Sequence, residues 1–161
     1  MAMQLVIWVA LAVVAVLLAA RVGAFAGRPP GDLGVRDGKL KPPSRTPNSV
    51  TSQAGLWPDA PMADYARIDP LPVKGDAKAT LARISRIVEE LPGARIVEQR
   101  DDYLYAQFTS ALMRFVDDVE FWADPVAGVI HVRSASRVGR KDFQVNRARI
   151  ESIRERLAAA G

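Results

Sequence analysis

Apolar residues are concentrated at the start of the chain. The segment Met3–Ala20 contains no charged residue and a single glutamine. As an α-helix, these eighteen residues span about 27 Å, close to the thickness of a bilayer's hydrocarbon core. A helix in a protein core normally keeps a polar face, and this segment has none. We therefore predict that residues 1–21 form a single transmembrane anchor.

A cleaved signal peptide is the alternative interpretation of this segment. Ala24-Phe25-Ala26 before Gly27 fits a small-x-small cleavage site, but no Lys or Arg precedes the apolar residues. The side of the membrane is also open. The cations that follow the helix favour a cytoplasmic domain by the positive-inside rule, whereas the signal-like site favours export.

Residues 22–73 carry frequent prolines and glycines and show no periodic pattern. Stretches such as Pro29–Gly31 oppose both helix and central strand. This composition is typical of a tether, but so long a loop is unusual, and apolar residues such as Leu40 and Trp57 interrupt it. We predict an extended segment that is partly wrapped on the folded domain.

A helical pattern appears in residues 77–91. Apolar residues recur at helical spacing from Leu81 to Leu91, Asp76 is placed to cap the N-terminus, and Pro92-Gly93 ends the helix. Strand-like alternation and turn signals follow, and then a second helix over 142–160. The four predicted strands are 94–99, 103–110, 115–123 and 129–134.

The order α-β-β-β-β-α predicts an α+β fold. Short connections require antiparallel neighbours, which gives a two-layer sandwich: a four-stranded antiparallel meander with two helices on one face. The chain then divides into a transmembrane anchor (1–21), a Pro/Gly-rich segment (22–73) and an α+β domain (74–161).

The last two strands contain the first candidate site. Apolar side chains should face each other across the hairpin, which favours Phe121 opposite Ile130. This register turns Asp117 toward the helices, and the alternative is that Asp117 marks a bulge or caps a neighbouring turn.

This register pairs Glu120 with His131 and Asp118 with Arg133. Carboxylates beside the single histidine are compatible with acid/base chemistry or a weak metal site. Cross-strand ion pairs on a solvent-exposed face, each worth under about 1 kcal/mol, are the simpler explanation.

The loop Arg133–Lys141 is the second candidate site. It combines two hydroxyls, from Ser134 and Ser136, with four cations next to the free N–H groups of a helix start, which suits an anion. It lacks the glycine pattern and the Lys-Ser/Thr ending of a nucleotide-hydrolysing phosphate loop. The alternative is a charged surface loop whose arginines pair with Asp117 or Asp118.

Asn146 is the third candidate. In a helix over 142–160 it lies in the middle of the apolar face that runs from Phe143 to Leu157, and Arg149 flanks that face. An unpaired buried amide costs about 1–3 kcal/mol. We therefore expect Asn146 to tie the helix to the loop before it.

Composition narrows the chemistry further. The chain has no cysteine, which excludes disulfides, thiolate metal sites and cysteine nucleophiles. Its net charge of +4 without a basic arm gives no indication of nucleic-acid binding. No serine lies in a nucleophile elbow, no histidine pair can bind zinc, and no dinucleotide fingerprint occurs. We therefore predict no catalytic residues, no metal site and no cofactor.

Four ordered motifs give the chain a family resemblance. They are LGVxDGxL at 33–40, TPNxVxSQA at 46–54, FVDDVEF at 115–121, and RSASRVG at 133–139 followed by NRxR at 146–149. From about Gly34 onward the chain resembles the bacterial and plastid proteins grouped as domain of unknown function 1499 (DUF1499).

The resemblance implies a domain without an established activity. It also implies that residues 22–73 are ordered, because two motifs lie there. Family members often carry two cysteines near the positions of Pro43 and Ser49, which this chain lacks. The leader-like N-terminus that is usual in the family implies an exported domain.

We favour a membrane-anchored, non-enzymatic binding or accessory module with a protein partner in a membrane complex. The helix would hold it in the cytoplasmic (inner) membrane as a single-pass protein, with its folded domain in the periplasm. The candidate ligand- or partner-binding residues are Asn48, Gln53, Asp118, Glu120, Arg133, Ser134, Ser136, Arg137, Asn146 and Arg149.

Two alternatives remain. The first is a small-ligand or anion-binding domain with hydrolytic activity, which predicts a concave pocket between Thr46–Gln53 and Arg133–Gly139. The second is a purely structural subunit whose helix packs in a larger assembly.

Overall fold

The chain has an α+β fold, as its hydrophobic pattern predicts. The computed structural model describes residues 1–160. The helices are α1 (Ala2–Arg21), α2 (Ala63–Ala66), α3 (Ala77–Glu89) and α4 (Val145–Ala159), with a 3-10 turn at Ala54–Leu56. The strands are β1 (Ser49–Thr51), β2 (Leu71–Pro72), β3 (Ala94–Gln99), β4 (Tyr103–Thr109), β5 (Val116–Asp124) and β6 (Val129–Ser136).

The strands form one antiparallel sheet of six strands, and the predicted number of four was wrong. The order is β1-β6-β5-β4-β3, and β2 also pairs with β6. The two additional strands lie in the Pro/Gly-rich segment and have three and two residues, too few to show an alternation. Pro72 fits there because β2 lies at an edge of the sheet.

α3 and α4 pack on one face of the sheet. Alternate strand residues such as Leu104 and Phe121 face these helices, which bury Ile84 and Ile153 against them. Burying a large apolar side chain stabilises a fold by about 1.5–3 kcal/mol, so this layer forms the main core.

The signals at both ends of α3 act as the sequence predicts. The Asp76 side chain accepts a hydrogen bond from the Ala79 N–H at 2.8 Å and caps the helix. Behind the helix, Gly93 has a φ of +76° and its carbonyl accepts the Thr109 N–H at 2.8 Å. A Cβ at Gly93 would lie 2.2 Å from the Thr109 carbonyl oxygen. Glycine therefore permits the close approach of this turn to β4.

Residues 33–44, which we call the covering segment, lie across the opposite face of the sheet. Leu40 is 1% exposed and packs with Leu33 and Val35 on three aromatic side chains of the sheet, Tyr103, Tyr105 and Trp122. The covering segment thus adds a third, irregular layer to the predicted layers of sheet and helices. We call this side of the sheet the outer face.

β5 and β6 pair two residues away from the predicted register. Phe121 lies opposite Val132, and Glu120 lies opposite Arg133. The Asp124 side chain accepts two backbone N–H groups of the following turn, at 2.8 and 3.0 Å, and this turn places Asp124 opposite Val129. A shift of two residues leaves every side chain on its predicted face, so only the cross-strand partners were wrong.

Gly93→Ala should destabilise the domain more than Gly75→Ala does. Both glycines have a φ of +76°, where alanine is strained by about 1–3 kcal/mol. At Gly75 nothing lies within 4 Å of an added Cβ, whereas at Gly93 the Cβ meets the Thr109 carbonyl. Denaturant unfolding of the full-length protein in mild detergent, followed by tryptophan fluorescence, measures both effects. Equal losses in the two variants would contradict the steric argument.

Candidate functional site

A cluster of charged side chains lies buried on the outer face. It consists of Asp118 and Glu120 on β5, Arg133 on β6 and Arg137 just beyond it, and we call it the outer-face cluster. Asp118, Glu120 and Arg133 are 1%, 0% and 4% exposed. The prediction of a solvent-exposed face was wrong, because the covering segment lies over it. Charges removed from water are costly unless they are paired, so each group needs a partner.

Glu120 is incompletely paired. Its Oε1 accepts hydrogen bonds from the Tyr103 hydroxyl at 2.8 Å and the Gly34 N–H at 2.7 Å. Its Oε2 is buried without a hydrogen bond, 3.9 Å from Nη1 of Arg133. Burial raises the pKa of Glu120 despite these donors, and burial together with the Glu120 charge raises the pKa of Tyr103. Burial also lowers the pKa of Arg133, against the attraction of Glu120.

Asp118 is fully paired. Arg137 binds it with both arms, Nε to Oδ2 at 2.8 Å and Nη2 to Oδ1 at 2.7 Å. The Tyr105 hydroxyl donates to Oδ1 at 2.5 Å. Bidentate pairs of this kind are among the strongest in proteins, and the hydrogen bond to Asp118 raises the pKa of Arg137.

The outer face also binds the backbone of the covering segment. Gln53 accepts the Leu40 N–H at 2.8 Å and donates to the Gly38 carbonyl at 2.9 Å. Arg133 Nε donates to the Pro42 carbonyl at 3.3 Å. A segment without regular structure has no ladder of its own, so these side chains supply the partners that its buried backbone requires.

Asn146 forms a second polar centre on the helix side of the sheet. It is 0% exposed, and its position in the first turn of α4 brings it beside β6. Its side chain therefore ties α4 to β6, to β1 and to the preceding loop. Its Oδ1 accepts from Ser134 (2.5 Å) and Arg149 (2.8 Å), and its Nδ2 donates to Asn48 O (3.2 Å), Ser136 Oγ (3.1 Å) and Asp142 Oδ2 (2.9 Å).

The start of α4 differs from the predicted helix. α4 begins at Val145, and its N-cap Gln144 has a φ of +69°. Phe143, predicted on the apolar face, therefore lies before the helix and is 86% exposed. Asp117 faces α4, as the alternation predicts, and pairs with Arg149 at 2.6 Å.

His131 does not join the carboxylates of the outer-face cluster. It lies opposite Trp122 in the sheet and stacks on it with 5.6 Å between ring centroids. Its Nδ1 is 3.0 Å from Ser52 Oγ, and its Nε2 is 3.5 Å from Asp124. Burial lowers the pKa of His131, against the attraction of Asp124. The predicted pairing of His131 with Glu120 was wrong because of the register.

A basic cavity of about 300 Å³ opens beside the outer-face cluster, and we call it the Arg133 cavity. Among the described residues of its wall, Asp118 is the one carboxylate. Its cationic side chains are Arg28, Lys41, Arg45, Arg133 and Arg137. Lys41 pairs with Asp32 at 2.6 Å, whereas Arg28 and Arg45 have no ion pair within residues 1–160.

The cavity does not lie where a pocket was predicted. Thr46–Gln53 and Arg133–Gly139 leave no cleft between them, because β1 pairs directly with β6. The cavity instead lies between β6 and residues 41–45. No group of three or more His, Asp or Glu side chains that could hold a metal ion occurs in the described part of the chain.

The sequence-predicted site residues separate into two groups on opposite sides of the sheet. Most are buried and bonded to their own chain, and Arg133, Ser136 and Arg137 line the Arg133 cavity. The group of the outer face is Gln53, Asp118, Glu120, Arg133 and Arg137, and the group around α4 is Asn48, Ser134, Ser136, Asn146 and Arg149.

Two sets of residues escaped the sequence reasoning. Tyr103 and Tyr105 alternate with apolar residues of β4, and a strand that is apolar on both faces is buried on both, so this signal was present. Arg28 and Arg45 lie in the Pro/Gly-rich segment, where no local pattern indicates that they share a cavity with β6.

These observations define an α+β domain in which the covering segment lies over a charged face of the sheet. The chain belongs to the family described as protein of unknown function (DUF1499), whose sequence profile matches residues 39–157. This confirms the resemblance that the four motifs indicated. No curated protein and no solved structure matches the chain.

Glu120→Gln should remove a pH dependence of stability. Because burial raises the pKa of Glu120, the folded protein binds this proton more tightly than the unfolded chain does. The contribution of Glu120 to stability is complete below its unfolded pKa of 4.5 and is lost as the pH rises through the higher folded value. The difference in unfolding free energy, variant minus wild type, should therefore grow with pH across this window.

Denaturant unfolding at pH values from about 4 to about 8 measures this difference. Glu155→Gln, on the exposed side of α4, is the matched control for the loss of one carboxylate at the surface. A pH-independent difference for Glu120→Gln would show that this carboxylate titrates alike in both states.

Proposed function

We propose that this is a single-pass membrane protein whose folded domain binds an anionic group in the Arg133 cavity without catalysing a reaction. The observation that carries the proposal is the excess of cations around a buried arginine in that cavity. α1 supports the membrane location.

α1 has the properties of a membrane span. It has 20 residues, a mean hydropathy of 2.6 over its most apolar window, and none of that window is buried in the protein. A core helix of a soluble protein would be mostly buried, so lipid is the environment that matches these side chains. A signal sequence meets the same criteria of length and composition. Retention is favoured because cleavage after Ala26 would remove Phe25, whose ring contacts Phe115 with 6.0 Å between centroids.

We further propose that the span lies in the cytoplasmic (inner) membrane with the folded domain in the periplasm. The signal-like site at Ala24-Phe25-Ala26 supports export. The cations after α1 oppose it by the positive-inside rule, so the orientation needs a direct test.

The full-length protein should remain in the membrane fraction after alkaline carbonate extraction. Its mass, measured by mass spectrometry, should show that α1 is still attached. A C-terminal alkaline phosphatase fusion should be active, because this enzyme matures only outside the cytoplasm. A C-terminal green fluorescent protein fusion should be dark, because this reporter fluoresces when it folds in the cytoplasm. A soluble product that retains α1 would contradict the anchor. The reverse reporter pattern would place the domain in the cytoplasm.

The Arg133 cavity has the size and charge for a small anion. Its volume of about 300 Å³ lies at the lower end of small-molecule pockets, which suits a phosphate or a compact phosphorylated group. The nearest contact of the Arg133 guanidinium with Glu120 is 3.9 Å, longer than a hydrogen bond. Terminal N–H groups of this buried arginine are therefore open to a ligand oxygen.

The wall of the cavity supports binding in preference to hydrolysis. Both oxygens of Asp118 are engaged by Arg137, and Tyr105 donates to one of them. A carboxylate held in this way is a poor general base, because taking up a proton would break the bidentate pair. Among the described residues the lining contains no histidine.

Inorganic phosphate should raise the unfolding midpoint of the detergent-solubilised protein, because a ligand that binds only the folded state stabilises it. The effect should weaken with added chloride. Arg45→Gln and Arg28→Gln should abolish it without loss of stability, because both side chains lie in the cavity wall and neither makes an ion pair within residues 1–160.

Arg36→Gln is the matched control. This exposed arginine lies on the covering segment and lines a different depression, so its replacement should leave the phosphate effect unchanged. An equal loss in all three variants, or no phosphate effect in the wild type, would contradict the assigned site.

A further inference from the structure

Two loops at one end of the domain expose apolar side chains. They are residues 110–115, between β4 and β5, and residues 139–145, which run from the loop after β6 to the first residue of α4. Phe115 and Val145 line two neighbouring depressions of about 380 Å³ each. We call the exposed set the end patch: Leu112 (68% exposed), Phe115 (40%), Phe143 (86%) and Val145 (50%). Grouped apolar side chains with a polar rim typically mark a surface that contacts a partner or a membrane.

The backbone of both loops directs these side chains outward. Phe143 and Gln144 have φ values of +51° and +69°, and Arg114 has +57°. Residues other than glycine seldom adopt this region, and they do so where the surrounding structure imposes it. If α4 began at residue 142, Phe143 would lie on its apolar face; the left-handed turn places it in solvent instead.

The end patch lies next to the end of the membrane helix. α1 ends at Arg21, and the ring of Phe25 contacts Phe115. Four residues of chain reach at most about 14 Å, so the patch cannot be far from the last turn of α1. Gly27 passes so close to Arg137 that a Cβ would lie 2.8 Å from the Arg137 Cβ. The connection between α1 and the domain is therefore packed against the domain at this end.

Cations surround the end patch. The carboxylates in and next to these loops are engaged, since Asp117, near the start of β5, pairs with Arg149 at 2.6 Å, and Asp142 is buried. Three exposed cations of these loops make no ion pair within the described residues: Arg114, Arg140 and Lys141.

We propose that the end patch is a membrane-facing surface. Phe143, Leu112 and Phe115 enter the headgroup region of the bilayer that α1 spans, and the flanking cations contact anionic phospholipid headgroups. Aromatic side chains favour this region, apolar burial there is favourable, and cations near an anionic leaflet are attracted to it. The domain is thereby held in one orientation on the membrane. This inference rests on the proposed membrane anchor.

Single-cysteine spin labels test the proposal, because the natural chain has no cysteine. The full-length variants Phe143→Cys, Leu112→Cys, Val126→Cys and Val13→Cys are reconstituted into vesicles of phosphatidylcholine with phosphatidylglycerol. Val126 is the matched control, since it is 95% exposed and lies in the β5–β6 turn at the opposite end of β5. Collisions with oxygen report lipid, and collisions with a water-soluble nickel chelate report solvent.

The labels at positions 143 and 112 should collide with the nickel chelate several-fold less often than the label at position 126, and the label at position 13 should avoid it altogether. Water-like accessibility at 143 and 112, with position 13 in lipid, would overturn the membrane-facing surface and leave the anchor intact. Water-like accessibility at position 13 would overturn the anchor and this inference together.

The headgroup contact has its own test. In vesicles of phosphatidylcholine alone, the label at position 143 should be less protected from collisions with the nickel chelate. The double substitution Arg140→Glu and Lys141→Glu should abolish the difference between the two lipid compositions. Equal protection in both kinds of vesicle with the natural cations in place would overturn the choice of anionic lipid.

Discussion

The structure depends on the burial of a charged sheet face under an irregular segment of the same chain. Glu120, Asp118 and Arg133 lose nearly all contact with water, and so does Leu40 on the inward side of the covering segment. The charged face and the covering segment supply hydrogen-bond partners to each other, because Glu120 accepts the Gly34 N–H and Arg133 donates to the Pro42 carbonyl. Removing one partner of such a buried set typically costs about 3–5 kcal/mol, since the other is left without compensation.

This arrangement explains why polar residues of the four motifs, such as Gln53, Glu120 and Asn146, are buried. Gln53 holds the turn of the covering segment through Gly38 and Leu40, while Asn146 joins α4 to β6 and to Asn48, the residue before β1. Polar side chains with definite partners specify one position for a segment that has no ladder of its own. Their hydrogen bonds stabilise the fold whether or not the domain binds a ligand.

The covering segment also connects α1 with the Arg133 cavity. Arg28, which lies between α1 and the segment, and Lys41, which lies within the segment, are in the cavity wall beside Arg133. Under the proposed function, a ligand anion would contact the sheet and the covering segment at the same time. Ligand binding and the position of the segment would then be coupled, because both would use the Arg133 guanidinium.

Local sequence patterns predicted the apolar helix, the α+β class, the long strands and helices, and the faces on which the residues of β5 and β6 lie. These follow from periodicity and capping, which are local: Asp76 caps α3, and Asp117 faces α4. Three features depend on the tertiary structure: the burial of the charged face, the pairing of each carboxylate with a particular cation, and the exclusion of Phe143 from α4. Those outcomes depend on residues distant in sequence and on turn geometry, for which a pattern of neighbouring residues contains no information.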